Sequence, residues 1–364
     1  MSSPAAPVAP AFEQNEAQAF AERLCGVLDA GALALMLSIG HRAGLFDAMQ
    51  RLGFAGSAEI ADEAGLHERY VREWLGAMTT GGIVAYQPST HRYRLPPAHA
   101  ASLTRAARPH NLAATAQWIP LLAGVEDDVL ACFERGGGVP AAAYERFGQV
   151  LAEERDQRIL VALDDGILPL VPGLREALAR GRDVLDVGCG SGRVIHALAR
   201  RFPCSRFTGY DLGAGAVAEA RRSAAELGLR NAQFEVRDVA DLEVRAAFDL
   251  IVSFDAIHDR ARPDVGLRAI ARALRRDGVF LMQAARGSGR IELDAERPLA
   301  SLLYTASCLH SIGVSLAAGG SGLGAMAGAE TSSRLLAEAG FGALEVRTLP
   351  GDRFDQYYVG RLAG

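Results

Sequence analysis

The stretch that decides the fold is VLDVGCGSG, residues 184–192. An apolar run leads into a turn with three glycines, and RVIHAL follows at residues 193–198. Glycine is required where a side chain would block a ligand's approach to the backbone, or where φ must be positive. The pattern therefore predicts a strand that ends abruptly, a turn that exposes its backbone to a ligand, and a helix. The candidate binding residues of this turn are Asp186, Gly188, Gly190 and Gly192.

More than one kind of nucleotide ligand binds to such a strand, turn and helix. The dinucleotide pattern places its third glycine one position later, where this chain has Arg193. Asp186 lies inside the strand end, where its carboxylate would face the ligand and hold a cationic amino group. The segment closely resembles motif I of the class I S-adenosylmethionine (SAM)-dependent methyltransferases. The resemblance favours SAM over NAD, with S-adenosylhomocysteine (SAH) as the product, and implies an α/β Rossmann-like core of seven strands.

Three further strand-like segments follow in the order that the resemblance implies: RFTGYDL at 206–212, FEVRDV at 234–239 and FDLIVSFDAI at 248–257. The carboxylate of Asp211, at the end of the second strand, is expected to accept hydrogen bonds from both ribose hydroxyls. NAD sites use the same contact. In the methyltransferase pattern, Asp238 binds the adenine amino group and the neighbouring backbone completes the contact. Each acid alone is open to another interpretation, an ordinary cap at a strand end. These segments add Asp211, Leu212, Asp238, Val239 and Phe254 to the predicted cofactor site.

Composition is typical of a soluble globular protein, and the scattered cysteines indicate a cytoplasmic one. The 364 residues are 49% hydrophobic and 22% charged, which suits two globular domains, and the formal net charge of −5 argues against a general polyanion binder. The five cysteines lack metal-site spacing, so we expect reduced thiols and no metal. We expect residues 1–11 to be a disordered tail and not an export signal. The apolar stretch 33–39 is too short to span a bilayer, so no membrane partner is expected.

Residues 12–105 predict a winged helix. One helix or helix pair covers 12–40, Ser57 is a candidate N-cap, Tyr70–Met78 is a second helix, and a hairpin turns at 88–90. Between residues 40 and 105, seven arginines nearly balance six acids. A phosphate-binding surface should instead be clearly basic. We therefore expect this domain to form a homodimer and consider nucleic-acid binding unlikely.

This order of domains is similar to that of small-molecule O-methyltransferases of secondary metabolism. In them the winged helix packs against its twin and helps to close the partner's active site. The chain from 12 to 364 resembles a bacterial family of this kind whose substrates are largely unassigned. The resemblance implies a helical linker and SAM lid at 106–180 and a SAM-binding domain at 181–364. A helix is expected to begin at 141–147, where Tyr144 and Phe147 are lid candidates and core packing is an equal alternative.

The candidate general base is His258, in the IHD sequence at 257–259. In the winged-helix O-methyltransferases a His-Asp pair at this point deprotonates the acceptor hydroxyl. The following RARP, residues 260–263, departs from the tryptophan and acids of that family. The alternative is a loop histidine that caps structure or contacts SAM. Because histidine titrates near neutral pH, we favour the base.

Substrate choice is expected to depend on an insertion at 286–330, between the fifth strand (278–284) and the last helix (331–339). Tyr304 and His310 are candidate acceptor contacts and Glu330 a candidate partner of His258, although each also suits a structural role. The glycine-rich run 313–328 predicts either closely packed helices or a mobile lid.

The predicted function is SAM-dependent methylation of a small molecule, with oxygen as the leading acceptor atom. The alternatives are transfer to nitrogen, sulfur or carbon, a SAM-sensing transcriptional regulator, and an NAD-dependent enzyme.

Overall fold

The computed structural model describes residues 11–109 and 111–364, except for the side chains of 11–14. These residues fall into two compact units, one that ends at Pro120 and one that begins at Leu121. Apart from Ala11, the predicted disordered tail lies outside the described residues. Each unit has an apolar core of its own.

The first unit contains the winged helix that the sequence predicts. Its core joins the helices through apolar side chains, among them Phe46 and Trp74, whose rings meet edge to face with centroids 5.2 Å apart. The predicted N-cap Ser57 is wrong by one residue, because Gly56 caps the helix and its N–H donates to Glu59 Oε2 (2.6 Å). The elements are α1 (Ala11–Arg42), α2 (Leu45–Leu52), α3 (Ser57–Ala64), α4 (Glu68–Thr80), β1 (Ala85–Gln87), β2 (Arg92–Arg94), α5 (Pro97–Ala100) and α6 (Leu112–Thr115).

Helix α1 extends no more than two residues beyond either end of the predicted 12–40 helix, and its first half is exposed. Residues 15–32 are all exposed, including Phe20, Val27 and Leu28. By length and apolar composition alone, the part from Asn15 to Arg42 is sufficient to cross a membrane, as is Ala300–Ala317 in the second unit. The apolar stretch 33–39 is therefore part of a continuous helix that extends well beyond it on the N-terminal side.

The second unit alternates helices and strands around one sheet. Its helices are α7 (Trp118–Ala123, which starts in the first unit), α8 (Glu126–Arg135), α9 (Phe147–Arg155), α10 (Leu174–Arg180), α11 (Arg193–Arg201), α12 (Ala214–Glu226), α13 (Pro263–Ala273), α14 (Ile291–Asp294), α15 (Ala300–Ala306), α16 (Ile312–Ala317) and α17 (Gly328–Glu338). Its strands are β3 (Asp183–Val187), β4 (Arg206–Asp211), β5 (Ala232–Val236), β6 (Phe248–Phe254), β7 (Leu274–Ala285), β8 (Phe341–Arg347) and β9 (Asp355–Leu362). Single turns of π-helix lie at 156–160, 163–167 and 307–311, and 3₁₀ turns at 141–143, 168–170 and 239–241.

Between residues 183 and 362 the strands form a seven-stranded sheet in the order β5-β4-β3-β6-β7-β9-β8. The first five are parallel, and β9 is antiparallel to both β7 and β8. This confirms the predicted Rossmann-like core. Strand β3 lies between β4 and β6, so the strand order reverses there, and a crevice at such a point is where open α/β sheets bind ligands.

Two predicted boundaries in this unit are wrong. Residues 141–143 form a 3₁₀ turn and helix α9 begins only at Phe147, because Arg146 takes a left-handed conformation (φ 60°) that breaks the helix. The third core strand ends at Val236, so Asp238 lies two residues beyond the strand and caps the 3₁₀ turn at 239–241.

Candidate cofactor and acceptor site

The glycine turn after β3 is closely packed on its protein side. Gly188 has φ 78°, and a Cβ at this position would overlap the Cβ of Ala256. Gly192 has φ 75°, and a Cβ there would lie 2.5 Å from the Phe234 ring. Both positions therefore need glycine, since the conformation and the space each exclude a side chain.

Asp186 lies buried in β3, directly before the turn, with 2% of its surface exposed. Its Oδ1 has no hydrogen-bond partner among the described residues. Burial raises the pKa of Asp186 to about 7, and the nearby carboxylate of Asp211 also raises it, whereas Arg155 opposes the shift. A buried carboxylate oxygen without a donor fits a ligand with a cationic, hydrogen-bonding group at this place.

Asp211 is held at the tip of β4 by two backbone N–H groups. Gly190 N donates to its Oδ2 (2.9 Å) and Gly213 N to its Oδ1 (2.8 Å). These bonds fix the carboxylate beside the glycine turn. Each oxygen keeps a second lone pair that can accept from a hydroxyl, so the geometry fits a ribose.

Part of the predicted cofactor site lines a surface depression beside β4 and β5. Leu212 and Asp238 both line it, together with Arg237 and Asp241. Asp238 Oδ1 also accepts from Ala240 N (2.9 Å), so this carboxylate caps the 3₁₀ turn as well. The side chain of Val239 is buried in the core, which leaves only its backbone to contact a ligand.

Arg155, the last residue of α9, spans the tips of two core strands. Its Nη1 donates to Gly188 O (3.0 Å) and its Nη2 to Phe254 O (2.5 Å), while the Phe254 side chain is buried. No sequence motif marks Arg155, so the sequence alone does not predict this residue in the site. Only the tertiary fold brings α9 across the turn. These donors, acceptors and glycines together fit the amino-acid and ribose parts of SAM.

His258 follows β6 on a loop beside the glycine turn. Its Nε2 lies 3.2 Å from Asp259 Oδ1 and 3.6 Å from Asp255 Oδ1, and its side chain is 12% exposed. Asp255 has φ 53°, a strained conformation for a residue with a side chain, and such strain clusters at functional sites. The loop therefore presents a partly accessible imidazole with carboxylates on one side.

Asp259 lies between two histidines. His310 Nδ1 is 3.8 Å from its Oδ2, on the opposite oxygen from His258. Burial alone would raise the pKa of Asp259, but the neighbouring His258, His310, Ser311 and Arg260 together outweigh burial and lower it. Burial lowers the pKa of His310, and the Asp259 carboxylate opposes that shift.

The lid candidates contact this same histidine. The Phe147 ring stacks on His310 with centroids 4.1 Å apart, and the Tyr144 ring meets His310 edge-on at 4.7 Å. Tyr144 OH donates to Leu309 O (2.5 Å), and burial raises the pKa of Tyr144 to about 12. Tyr144 and Phe147 thus pack onto the 307–311 turn of the insertion.

The other two candidate residues of the insertion, Tyr304 and Glu330, do not contact His258. Tyr304 OH donates to the buried carboxylate of Asp294 (3.1 Å), which also accepts from Ser288 N. Glu330 is exposed at the start of α17, and among the described residues no ion pair or hydrogen bond joins it to His258. The predicted Glu330–His258 pair is therefore wrong, since Asp255 and Asp259 occupy that position.

The glycine-rich part of the insertion is closely packed. A Cβ at Gly320 would overlap Ala261 Cα, and one at Gly324 would lie 2.7 Å from Ser307 Oγ. Of the two possibilities that the sequence left open, the described contacts match closely packed segments.

Family models match two parts of the chain: an Rv2258c-like winged HTH domain at residues 31–105 and a methyltransferase domain at residues 178–312. A fatty-acid O-methyltransferase of Mycolicibacterium smegmatis is 35% identical over 111 residues, which are 30% of this chain. The match spans only 40% of that relative's length.

Solved structures show the same fold over nearly the whole chain. Human N-acetylserotonin methyltransferase in complex with SAM matches with a TM-score of 0.66 at 17% identity. The match covers 94% of this chain and 98% of the human chain. PigF with SAH has a TM-score of 0.65 at 21% identity, over 94% and 99% of the two chains. This protein therefore joins an N-terminal winged helix-turn-helix domain to a methyltransferase domain, in the fold of the class I SAM-dependent methyltransferases.

Proposed function

We propose that this protein transfers the methyl group of SAM to a hydroxyl oxygen of a small organic acceptor, with His258 as general base. The observation that carries the proposal is His258 with its flanking carboxylates, directly after the strand whose tip adjoins the glycine turn. When bound, SAM supplies a methyl group on a cationic sulfur that departs as a neutral thioether. The chain itself has to position the acceptor, exclude water and remove the hydroxyl proton.

The electrostatics of the loop suit proton removal. His258 Nε2 faces Asp255 and Asp259, so Nδ1 is the ring nitrogen that would accept the proton from the acceptor oxygen. The lowered pKa of Asp259 keeps that carboxylate ionised at neutral pH. A carboxylate beside an imidazole orients the ring and stabilises the charge that it gains, as in other histidine bases.

Oxygen is favoured over nitrogen and sulfur because a hydroxyl commonly needs such a base, whereas an amine has only to be neutral and a low-pKa thiol needs little help. The similar fatty-acid O-methyltransferase also supports an oxygen acceptor. Since the match covers less than half of that relative, its own substrate is not carried over.

The test begins with radiolabelled SAM and a metabolite extract, and the labelled product identifies the acceptor. On that acceptor, His258→Ala should lower kcat by about 10²- to 10⁴-fold, the usual contribution of general-base catalysis. His91→Ala, an exposed histidine of the wing, is the matched control and should leave kcat unchanged. A wild-type kcat in His258→Ala, or a label on nitrogen, sulfur or carbon, contradicts the proposal.

We also propose that the protein is a cytoplasmic homodimer held by its first unit, which does not bind DNA. The arginines of α4 are already paired on their own helix: Arg69 with Glu73 (2.5 Å) and Arg72 with Glu68 (2.7 Å). The two pairs leave α4 without net charge, so this helix attracts phosphates only weakly. The exposed apolar residues of α1 are instead suited to packing against a second copy.

A further inference from the structure

The π-helical turn at 307–311 lies between α15 and α16 and reaches the loop that carries His258. Turns of this kind occur mostly singly within α-helices, frequently at functional sites. His310 and Ser311 of this turn are both buried, with 7% and 4% of their surfaces exposed. His310 Nδ1 lies 3.8 Å from Asp259 Oδ2, and the Ser311 side chain forms a hydrogen bond with the same carboxylate.

The lid candidates hold the His310 ring from its other sides. The Phe147 ring stacks on it with the two planes 10° apart, and the Tyr144 ring meets it edge-on. Tyr144 is itself fixed by its hydrogen bond to Leu309 O. His310 is therefore held in one orientation against Asp259, and little of its surface is left to meet an acceptor.

Asp259 is the group through which His310 can act on the candidate base. Its Oδ1 lies 3.2 Å from His258 Nε2, whereas Oδ2 faces His310. Oδ1 is buried and accepts no hydrogen bond within residues 11–109 and 111–364, so it is open to an N–H of His258. The terminal torsion of an aspartate is broad, and a contact on one carboxylate oxygen therefore decides where the other oxygen points.

We infer that His310 is a positioning residue for the His258 base and acts through Asp259. It holds the carboxylate at Oδ2, so that Oδ1 stays directed at His258 Nε2 and keeps the proton of the neutral imidazole there. His258 Nδ1 is then free to take the proton of the acceptor hydroxyl as the methyl group bonds to that oxygen. The inference rests on the proposed function, because His310 takes part in the same proton transfer. The contact between His310 and Asp259 should shorten to a hydrogen bond when ligands fill the site.

Two substitutions separate the N–H group of His310 from its ring. His310→Asn keeps an N–H near the place of Nδ1 and loses the ring, whereas His310→Phe keeps a ring that can stack on Phe147 and has no donor. With the acceptor identified by radiolabelled SAM, His310→Phe should lower kcat about tenfold and leave KM within about twofold. His310→Asn should recover most of this loss. A role in packing alone would reverse the order of the two variants.

A double substitution tests whether the effect passes through Asp259. In an Asp259→Asn background, His310→Phe should change kcat by less than about twofold, because the group on which it acts is already altered. His91→Phe makes the same exchange at an exposed histidine of the wing and should leave kcat unchanged. Thermal unfolding of each variant shows whether it is folded.

Nitrogen NMR of the full-length protein, labelled at its eight histidines, detects the positioning without an acceptor. His258→Ala assigns the His258 signals. In the wild type with SAH at pH 8, His258 should carry its proton on Nε2. His310→Phe should give a mixture of the two tautomers, and His310→Asn should give the wild-type pattern.

The inference is overturned if His310→Phe keeps both the wild-type kcat and the wild-type tautomer of His258. It is also overturned if His310→Phe is more active than His310→Asn, or if the losses from His310→Phe and Asp259→Asn multiply. A wild-type kcat in His258→Ala overturns the proposed base instead, whatever the two His310 variants show.

Discussion

At the scale of single residues, Gly188 makes the turn possible through both its conformation and its contact with Ala256. Gly188→Ala should destabilise the fold and abolish SAH binding. Gly228→Ala is the matched control, because Gly228 has a similar φ of 68° but nothing within 4 Å of its Cβ position. In the control, the free energy of unfolding should fall only by the energy of a left-handed alanine, about 1–2 kcal/mol. Urea unfolding and calorimetry measure both effects, and equal losses in the two variants would contradict this account.

Asp186 predicts a pH dependence of cofactor binding. Its folded pKa of about 7 lies above the usual value of about 3.9, so the folded state binds the extra proton between these values. Its contribution to stability therefore falls as pH rises through this window. Only the ionised carboxylate can hold an ammonium, so SAH affinity should fall by up to about tenfold from pH 8 to pH 6. Calorimetry across this range checks the effect, and Asp186→Asn should show weak, pH-independent binding.

At the scale of elements, helix α16 packs against the segment 136–140 at glycine contacts. A Cβ at Gly138 would overlap the Gly313 carbonyl oxygen and the Ala317 nitrogen, both backbone atoms that cannot rotate away. Gly138→Ala should therefore lower the Tm by several degrees, as about 1–3 kcal/mol of overpacking implies. Gly148→Ala is the control, since Gly148 lies in α9 with nothing within 4 Å, and alanine there should raise the Tm slightly. Thermal unfolding of both variants tests the contact.

At the scale of the whole molecule, the exposed half of α1 presents apolar side chains that a second copy of the chain can bury. Val27 and Leu28 are 57% and 74% exposed on a helix whose residues 15–32 are all exposed. We predict that sedimentation shows a dimer for the wild type and a single chain for Leu28→Glu. Leu130→Glu replaces a similarly exposed leucine (57%) of α8 and should remain dimeric. A wild-type protein that sediments as one chain contradicts the dimer.

How well the fold could be predicted differs between kinds of element. The core strands were predictable because each is a short apolar run bounded by glycine or an acid, and the winged helix because its helices carry apolar residues at helical spacing. Boundaries failed where a local backbone feature intervened, as at Arg146, whose positive φ no residue pattern indicates.

By itself, the sequence determined the order of the core strands along the chain and the acids and glycines of the turn after β3. These depend on residues close together in the sequence, which impose the same local backbone wherever the chain lies. Only the tertiary structure decided which distant groups meet them: Arg155 across the strand tips, His310 on the far side of Asp259, and Phe147 stacked on His310. Those contacts join residues far apart in the chain, and close packing of the folded unit selects them rather than any local pattern.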